Sequence, residues 1–197
     1  MSNKWGVKPE QAEVLLEIEK IIGKSIPLLS YEMRRDTVEV KIKKDNIIEL
    51  GLFECELSIL PESLTKLDSL KIINLGNNKL TTLPESIGDL KSLQILNLEE
   101  NQLYALPESI RDLKSLLDLD LGFNKLTALP KSIGNLKSLR ELDLNNNMLT
   151  TLPRSMWQLK SLEIIDLDEN NWEGEWKEII ERDIPHIREF CRQRGSE

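Results

Sequence analysis

The sequence is poor in the residues that most enzyme sites are built from. Among its 197 residues are two cysteines, one histidine and only 5 % aromatics. Cys55 and Cys191 lie far apart and form no C-x-x-C, so neither a disulfide framework nor a zinc or redox motif is encoded. Such sparing use of cysteine points to the cytoplasm. His186, the lone histidine, has Asp183 and Glu189 three residues to either side. One imidazole with two carboxylates is a poor metal set, and these residues read as solvated charges. Also missing are H-E-x-x-H and G-x-S-x-G. Gly23-Lys24-Ser25 resembles the end of a phosphate-binding loop, but Ile18 stands where that loop needs glycine, and a helical pattern precedes it instead of a strand. No metal or cofactor is expected.

A basic excess is lacking too. Net charge is −8 and the pI is near 5.0, which argues against a nucleic-acid partner and against an anionic membrane surface. No stretch approaches the roughly 20 apolar residues of a spanning helix. Met1-Ser2-Asn3-Lys4-Trp5 has none of the apolar character of a secretion signal.

What the chain has is leucine at fixed intervals. Prolines at 61, 84, 107, 130 and 153 are each 23 residues apart. Around them run LPESLTKLDSL, LPESIGDLKSL, LPESIRDLKSL, LPKSIGNLKSL and LPRSMWQLKSL, alternating with LKIINLGNNKL, LQILNLEENQL, LLDLDLGFNKL, LRELDLNNNML and LEIIDLDENNW. Counting back from Leu70 gives a divergent first copy, IIELGLFECEL, at 47–57, and hence six turns. Alternation in L-x-L sends two residues per copy inward, and the short strands pair in parallel at about 4.8 Å. Asn78, Asn101, Asn124, Asn147 and Asn170 fall where the chain bends, where an amide can satisfy backbone groups that the bend leaves unpaired; Cys55 takes that place in the first copy as a structural residue. Apolar residues at every third position, as in Ile87-Leu90-Leu93, predict 3₁₀ or short helical turns on the opposite wall.

L-x-x-L-x-L-x-x-N/C-x-L over residues 47–172 resembles the leucine-rich-repeat signature, and LPxxIxxLxxL is similar to the 23-residue class found in Ras-suppressor-like proteins and in the repeat domains of Roco-type GTPases. The resemblance implies an α/β solenoid, a right-handed superhelix with a parallel sheet on its concave face. It also implies a non-catalytic protein-binding module whose partner is a small Ras-like GTPase or a regulator of one. Extracellular members of the class carry cysteine-rich caps, which are absent here. The alternative is the recognition arm of a GTPase, kinase or ubiquitin ligase whose catalytic domain lies outside these residues.

A solenoid needs its ends covered. Residues 1–46 read as an N-terminal cap: a helix over 9–22 with Val14, Leu15, Ile18, Ile21 and Ile22 inward, then a strand over 37–43 forming a hairpin onto the first repeat. Lys41, Lys43 and Lys44 discourage edge pairing there. Residues 173–197 read as a C-terminal cap of two helices, about 173–182 and 185–194. In these Trp172, Trp176, Ile179, Ile180, Ile184, Ile187, Phe190 and Cys191 close the last leucine layer.

Reading the outward positions copy by copy gives four stripes on the concave face. They hold 24 residues, 11 of them acidic and none basic, in a chain with 26 Lys and Arg. Asp120, Asp143 and Asp166 should stack about 5 Å apart, each pair repelling by about 1 kcal/mol in water-like dielectric. A basic partner relieves that repulsion. Phe53, Ile72 and Ile95 are expected to form an exposed apolar patch beside the acids. The candidate site is therefore Phe53, Ile72, Asn74, Ile95, Asn97, Glu99, Asp118, Asp120, Phe123, Glu141, Asp143, Asp166 and Asp168, holding a protein with a basic surface. A Ca²⁺ ion on the row is the weaker alternative, since in-line carboxylates do not converge into a cage.

Overall fold

A computed structural model describes residues 3–28 and 38–194. Helix α1 (Pro9–Ile22) leads into strand β1 (Val38–Lys43) and then β2 (Asn46–Leu52). Five further strands follow at the repeat spacing: β3 (Ile72–Asn74), β4 (Ile95–Asn97), β5 (Asp118–Asp120), β6 (Glu141–Asp143) and β7 (Ile164–Asp166). Helices α2 (Trp176–Ile179) and α3 (Ile184–Gln193) close the chain. One seven-stranded sheet runs in sequence order, antiparallel only between β1 and β2. Equivalent residues of successive copies pair without slippage from Glu49↔Ile72 through Asp143↔Asp166. Between the strands, 3₁₀ helices at Glu62–Lys66, Glu85–Asp89, Glu108–Asp112, Lys131–Asn135 and Arg154–Gln158 form the opposite wall.

The three-residue spacing explains the 3₁₀ choice. Leu90 N–H donates to Ile87 O and Leu93 N–H to Leu90 O, so residues three apart eclipse one another and all point inward. Each of these helices starts after a proline with φ between −64° and −70°, which presets the turn. Strands pack about 4.8 Å apart, closer than the bulkier helical wall allows, so the sheet becomes the short, concave side. Leu50, Ile73, Leu96, Leu119 and Leu142 form one wholly buried column, and Leu52, Leu75, Leu98, Leu121 and Leu144 a second.

The ladder asparagines tie each turn to the one before it. The Nδ2 group of Asn124 donates to Leu121 O and Gly122 O in its own turn and to Leu98 O in the preceding turn; its Oδ1 accepts Leu103 N–H. Asn78, Asn101, Asn147 and Asn170 repeat the pattern. The first turn has no repeat before it to hold, which explains why Cys55 is tolerated there: its thiol meets only Phe53 O, at 3.4 Å. At the other end, Leu167 O has no following asparagine. The indole N–H of Trp172 donates to it at 3.0 Å and supplies the missing donor.

Both caps depart somewhat from the sequence expectation. In α1, Ile21 is exposed and Ile22 only half-buried, while Gln11 is buried: its Oε1 accepts Ile47 N–H, a contact that apolar patterning could not foresee. Gly23 ends α1 in the left-handed region, Lys24 Nζ donates to Glu54 O, and Ser25 Oγ donates to Glu19, so the loop-like Gly-Lys-Ser is a helix cap. Thr37, predicted at the start of β1, lies outside the described residues. The first C-terminal helix shrinks from 173–182 to Trp176–Ile179, because Gly174 turns with φ +55° before it and Asp183 must be extended ahead of α3. Asp183 caps α3 by accepting His186 N–H and also holds the imidazole; Glu189 instead pairs with Arg192, so no metal set forms around His186.

Asn124→Ala should therefore be costly although no side chain outside the bend changes. At roughly 1 kcal/mol for each of its four buried hydrogen bonds, the loss is about 4 kcal/mol. Thermal unfolding should show a midpoint lowered by about 8–16 °C, whereas Asn145→Ala, which leaves every ladder bond in place, should change it by less than about 2 °C.

Candidate functional site

The sheet face is built from two aligned rows. Register pairs one row as Glu49, Ile72, Ile95, Asp118, Glu141 and Ile164, and the other as Gly51, Asn74, Asn97, Asp120, Asp143 and Asp166. Of the predicted site residues, Ile72, Asn74, Ile95, Asn97, Asp118, Asp120, Glu141, Asp143 and Asp166 stand on the strands. The other four do not. Strand β2 ends at Leu52 and strands β3 to β7 have three residues each, so Phe53, Glu99 and Asp168 sit on the turn beyond their strands. Phe123 occupies the next position, where every copy adopts positive φ: Glu54, Asn77, Glu100, Phe123, Asn146 and Glu169, all near +50°.

The second row has a local task. The side-chain oxygens of Asn74, Asn97, Asp120, Asp143 and Asp166 each accept the N–H two residues on, at Gly76, Glu99, Gly122, Asn145 and Asp168. That bond shapes the turn leading to the positive-φ residue. Asn and Asp serve it equally well, so the task requires an oxygen and not a charge. Asn74 is only 6 % exposed and belongs to the turn more than to the surface, contrary to the sequence expectation.

The predicted apolar patch is also corrected. Phe53, Ile72 and Ile95 are partly buried, and the Phe53 ring covers Gly76, where an added Cβ would lie 3.2 Å from it. The large apolar side chains that reach solvent on this side are Phe123, 47 % exposed, and Ile164, 56 % exposed. Both lie in the C-terminal half. Strand alternation puts both on the sheet face, but Ile164 is not among the residues expected to bind a partner. Charge follows the same division. Lys41 reaches across from β1 to Glu49 at 2.8 Å and neutralises the N-terminal end. Among the described residues no ion pair reaches Glu141, Asp143, Asp166 or Asp168.

Burial, reinforced by crowding, shifts the titration of two of the acids. Burial pushes Asp120 up to about 6, opposed by the Gly122 N–H and reinforced by the carboxylates of Glu99, Asp143 and Asp118. Burial likewise raises Asp143, with Asp166 adding to it. The carboxylates project side by side, and among the described residues no three groups converge on a point that could hold a metal. Both thiols are buried: desolvation raises Cys55 and pushes Cys191 up to about 12, which leaves neither nucleophilic near neutral pH.

A family model for the leucine-rich repeat region matches residues 47–180. The chain belongs to the leucine-rich-repeat family. No curated protein matches it. Among solved structures, the leucine-rich-repeat ectodomain of the receptor kinase SOBIR1 from Arabidopsis thaliana is similar at 23 % identity, with a TM-score of 0.66 over 84 % of this chain and 96 % of that one. The BIR3–SERK2 complex from the same plant shows 28 % identity and a TM-score of 0.62, over 82 % and 93 %. The PEPR1–AtPEP1 complex shows 30 % identity and a TM-score of 0.61 over 66 % of this leucine-rich-repeat chain, which spans 19 % of that one. Among the described residues no helix is long and apolar enough to cross a membrane.

The raised Asp120 gives a signed pH dependence. Its folded value lies above the ordinary aspartate range, so the native state holds the extra proton between about pH 4 and 6 and stability falls as pH rises through that window. Asp120→Asn keeps an oxygen for Gly122 and removes the charge. Its unfolding midpoint at pH 7.5 should exceed that of the parent by a few degrees, at about 2–4 °C per kcal/mol for this size. The gain should vanish toward pH 4; an equal midpoint at both pH values would refute the assignment.

Proposed function

We propose that this repeat array is a non-catalytic interaction module that holds a protein with a basic surface on the C-terminal half of its sheet face, with residues 1–46 and 173–197 serving as caps. The observation that carries this reading is the aligned row of Asp120, Asp143 and Asp166 beside exposed Phe123 and Ile164. The row's turn-forming task is met by Asn in the earlier copies, so the choice of Asp in three consecutive copies adds repulsion for no local gain. A cationic guest converts that repulsion into attraction, and an exposed aromatic supplies the kind of anchor on which interfaces depend. Similar repeat proteins occur in the BIR3–SERK2 and PEPR1–AtPEP1 complexes, which supports a protein or peptide as the guest.

A small Ras-like GTPase or its regulator is the partner suggested by the likeness of the LPxxIxxLxxL segments to Ras-suppressor-like proteins and Roco repeat domains. A cytoplasmic setting is supported by two free, buried cysteines.

The test is affinity capture at about 50 mM salt, where surface charges are little screened, with Asp120→Asn/Asp143→Asn/Asp166→Asn as the paired bait. That triple variant keeps every turn-forming oxygen. Its yield of the specific partner should fall at least about tenfold, a loss of 1.4 kcal/mol or more, and Phe123→Asn should lower it further. Equal recovery on parent and triple variant would overturn the reading.

A further inference from the structure

The two edges of the sheet are finished differently. At the N-terminal edge, Val40 N–H of β1 donates to Pro27 O at 3.0 Å and Leu28 bridges to Val40, so chain covers the strand. At the C-terminal edge, β7 pairs with β6 alone. Ladder bonds toward β6 use Ile164 N–H, donated to Arg140 O, and Asp166 O, which accepts from Leu144 N–H. Alternation along a strand then turns the N–H and C=O of Ile165, and the N–H of Leu167, away from β6. In each earlier copy the residue equivalent to Leu167 donates to the next turn, as Leu121 does to Asp143 O. In the last copy no described residue receives that bond.

Beside this edge lies a hollow of about 750 Å³ between β7 and the start of α3. Ile165, Ile180, Ile184 and Ile187 form its apolar floor, and the backbone from Leu162 to Asp168 forms one wall. Its rim is acidic: Glu163, Asp166, Asp168 and Asp183 outnumber Arg182 and Arg188, and Arg188 is already engaged with Leu159 O and Lys160 O. Ile164 stands exposed on the sheet side of the same edge.

We propose that β7 accepts an extended segment of a partner protein as an eighth strand, apolar opposite Ile164 and Ile165 and basic opposite Asp166. This deepens the protein-binding reading and rests on it for the partner's class, but it engages backbone groups at the edge, which the sheet-face reading does not use. Backbone bonds to an open edge provide affinity, and side chains at alternate positions provide selectivity. An apolar residue beside Ile165 would extend the inward leucine column onto Ile180, Ile184 and Ile187. A lysine or arginine beside Asp166 would cap the row of aspartates with the charge it lacks.

The probe is a fluorescein-labelled peptide containing Lys-Ile-Leu-Lys-Leu-Lys, read by anisotropy at about 50 mM salt. Binding should be saturable in the micromolar range, weaken as salt rises, and slow amide exchange at Ile165 and Leu167. Replacing the lysines by glutamates should weaken it at least about tenfold. Methylating alternate peptide nitrogens, which leaves this protein untouched, should abolish it. Ile165→Pro removes an outward N–H from an edge strand together with part of the apolar floor and should also abolish it, with circular dichroism confirming the fold and the methylated peptide isolating the backbone contribution. Asp120→Asn/Asp143→Asn, on the two strands inside β7 and out of contact with an added strand, should leave peptide affinity within about threefold, although the sheet-face reading predicts loss of its partner in that variant. The proposal is overturned if the peptide fails to bind, if the methylated form binds equally, or if binding follows Asp120 and Asp143 but not Ile165→Pro. A dimer seen by sedimentation that Ile165→Pro dissolves would assign the edge to a second copy and equally overturn it.

Discussion

Everything in this solenoid depends on an amide that reaches backward. Each ladder asparagine satisfies carbonyls in its own turn and one carbonyl exposed by the previous turn. Removing such a partner leaves buried polar groups without water, so the bond matters more through the cost of its absence than through its net gain. Because the reach is one repeat, the array is held together pairwise, and its two ends are chemically unequal. The first turn can do without the amide, and Cys55 stands there. The last turn needs a donor from elsewhere, and Trp172 provides it.

That pairwise lock also sets the register, and the register determines what the face can do. Equivalent residues line up without slippage, so a choice made at one position of the 23-residue unit becomes a column. Leucine columns close the core. A column of aspartates, by the same geometry, concentrates repulsion that no fold requirement explains, and that repulsion adds to the burial that raises the titration of Asp120 and Asp143.

The repeat made most of the fold legible in advance: the inward leucines, the bend asparagines, the third-residue spacing of the 3₁₀ wall and the N-terminal hairpin all follow from period and alternation. Legibility failed where neighbours outside the unit intervene. Asn74 is recruited by the Gly76 N–H two residues on, and Phe53 folds over Gly76, a contact between adjacent turns that a single-copy reading does not contain. Lys41 lies in a cap that strand counting over the repeats never surveyed, so the neutralisation of Glu49 was invisible. Gln11, buried against Ile47 N–H, was hidden because helix patterning tracks apolar residues.

Local rules and observed residues disagree in one region, and the disagreements coincide. The position before each ladder asparagine adopts positive φ, a conformation that favours glycine or asparagine, yet Phe123 holds it with its ring half in solvent. The turn-forming position needs only an oxygen, yet Asp120, Asp143 and Asp166 carry full charges there. The last strand ends with its hydrogen-bonding edge open, whereas the first is covered. Departures of this kind persist when another demand offsets their cost. All three fall within repeats four to six: Phe123 and the aspartates would suit a basic guest with an apolar contact on the sheet face, and the open edge would suit an extended segment, apolar opposite Ile164 and Ile165 and basic opposite Asp166. The N-terminal half has Glu49 paired, Asn74 buried and Phe53 folded inward, and its positive-φ positions hold polar Glu54, Asn77 and Glu100, so it presents no comparable exposed apolar ring or unpaired aspartate row.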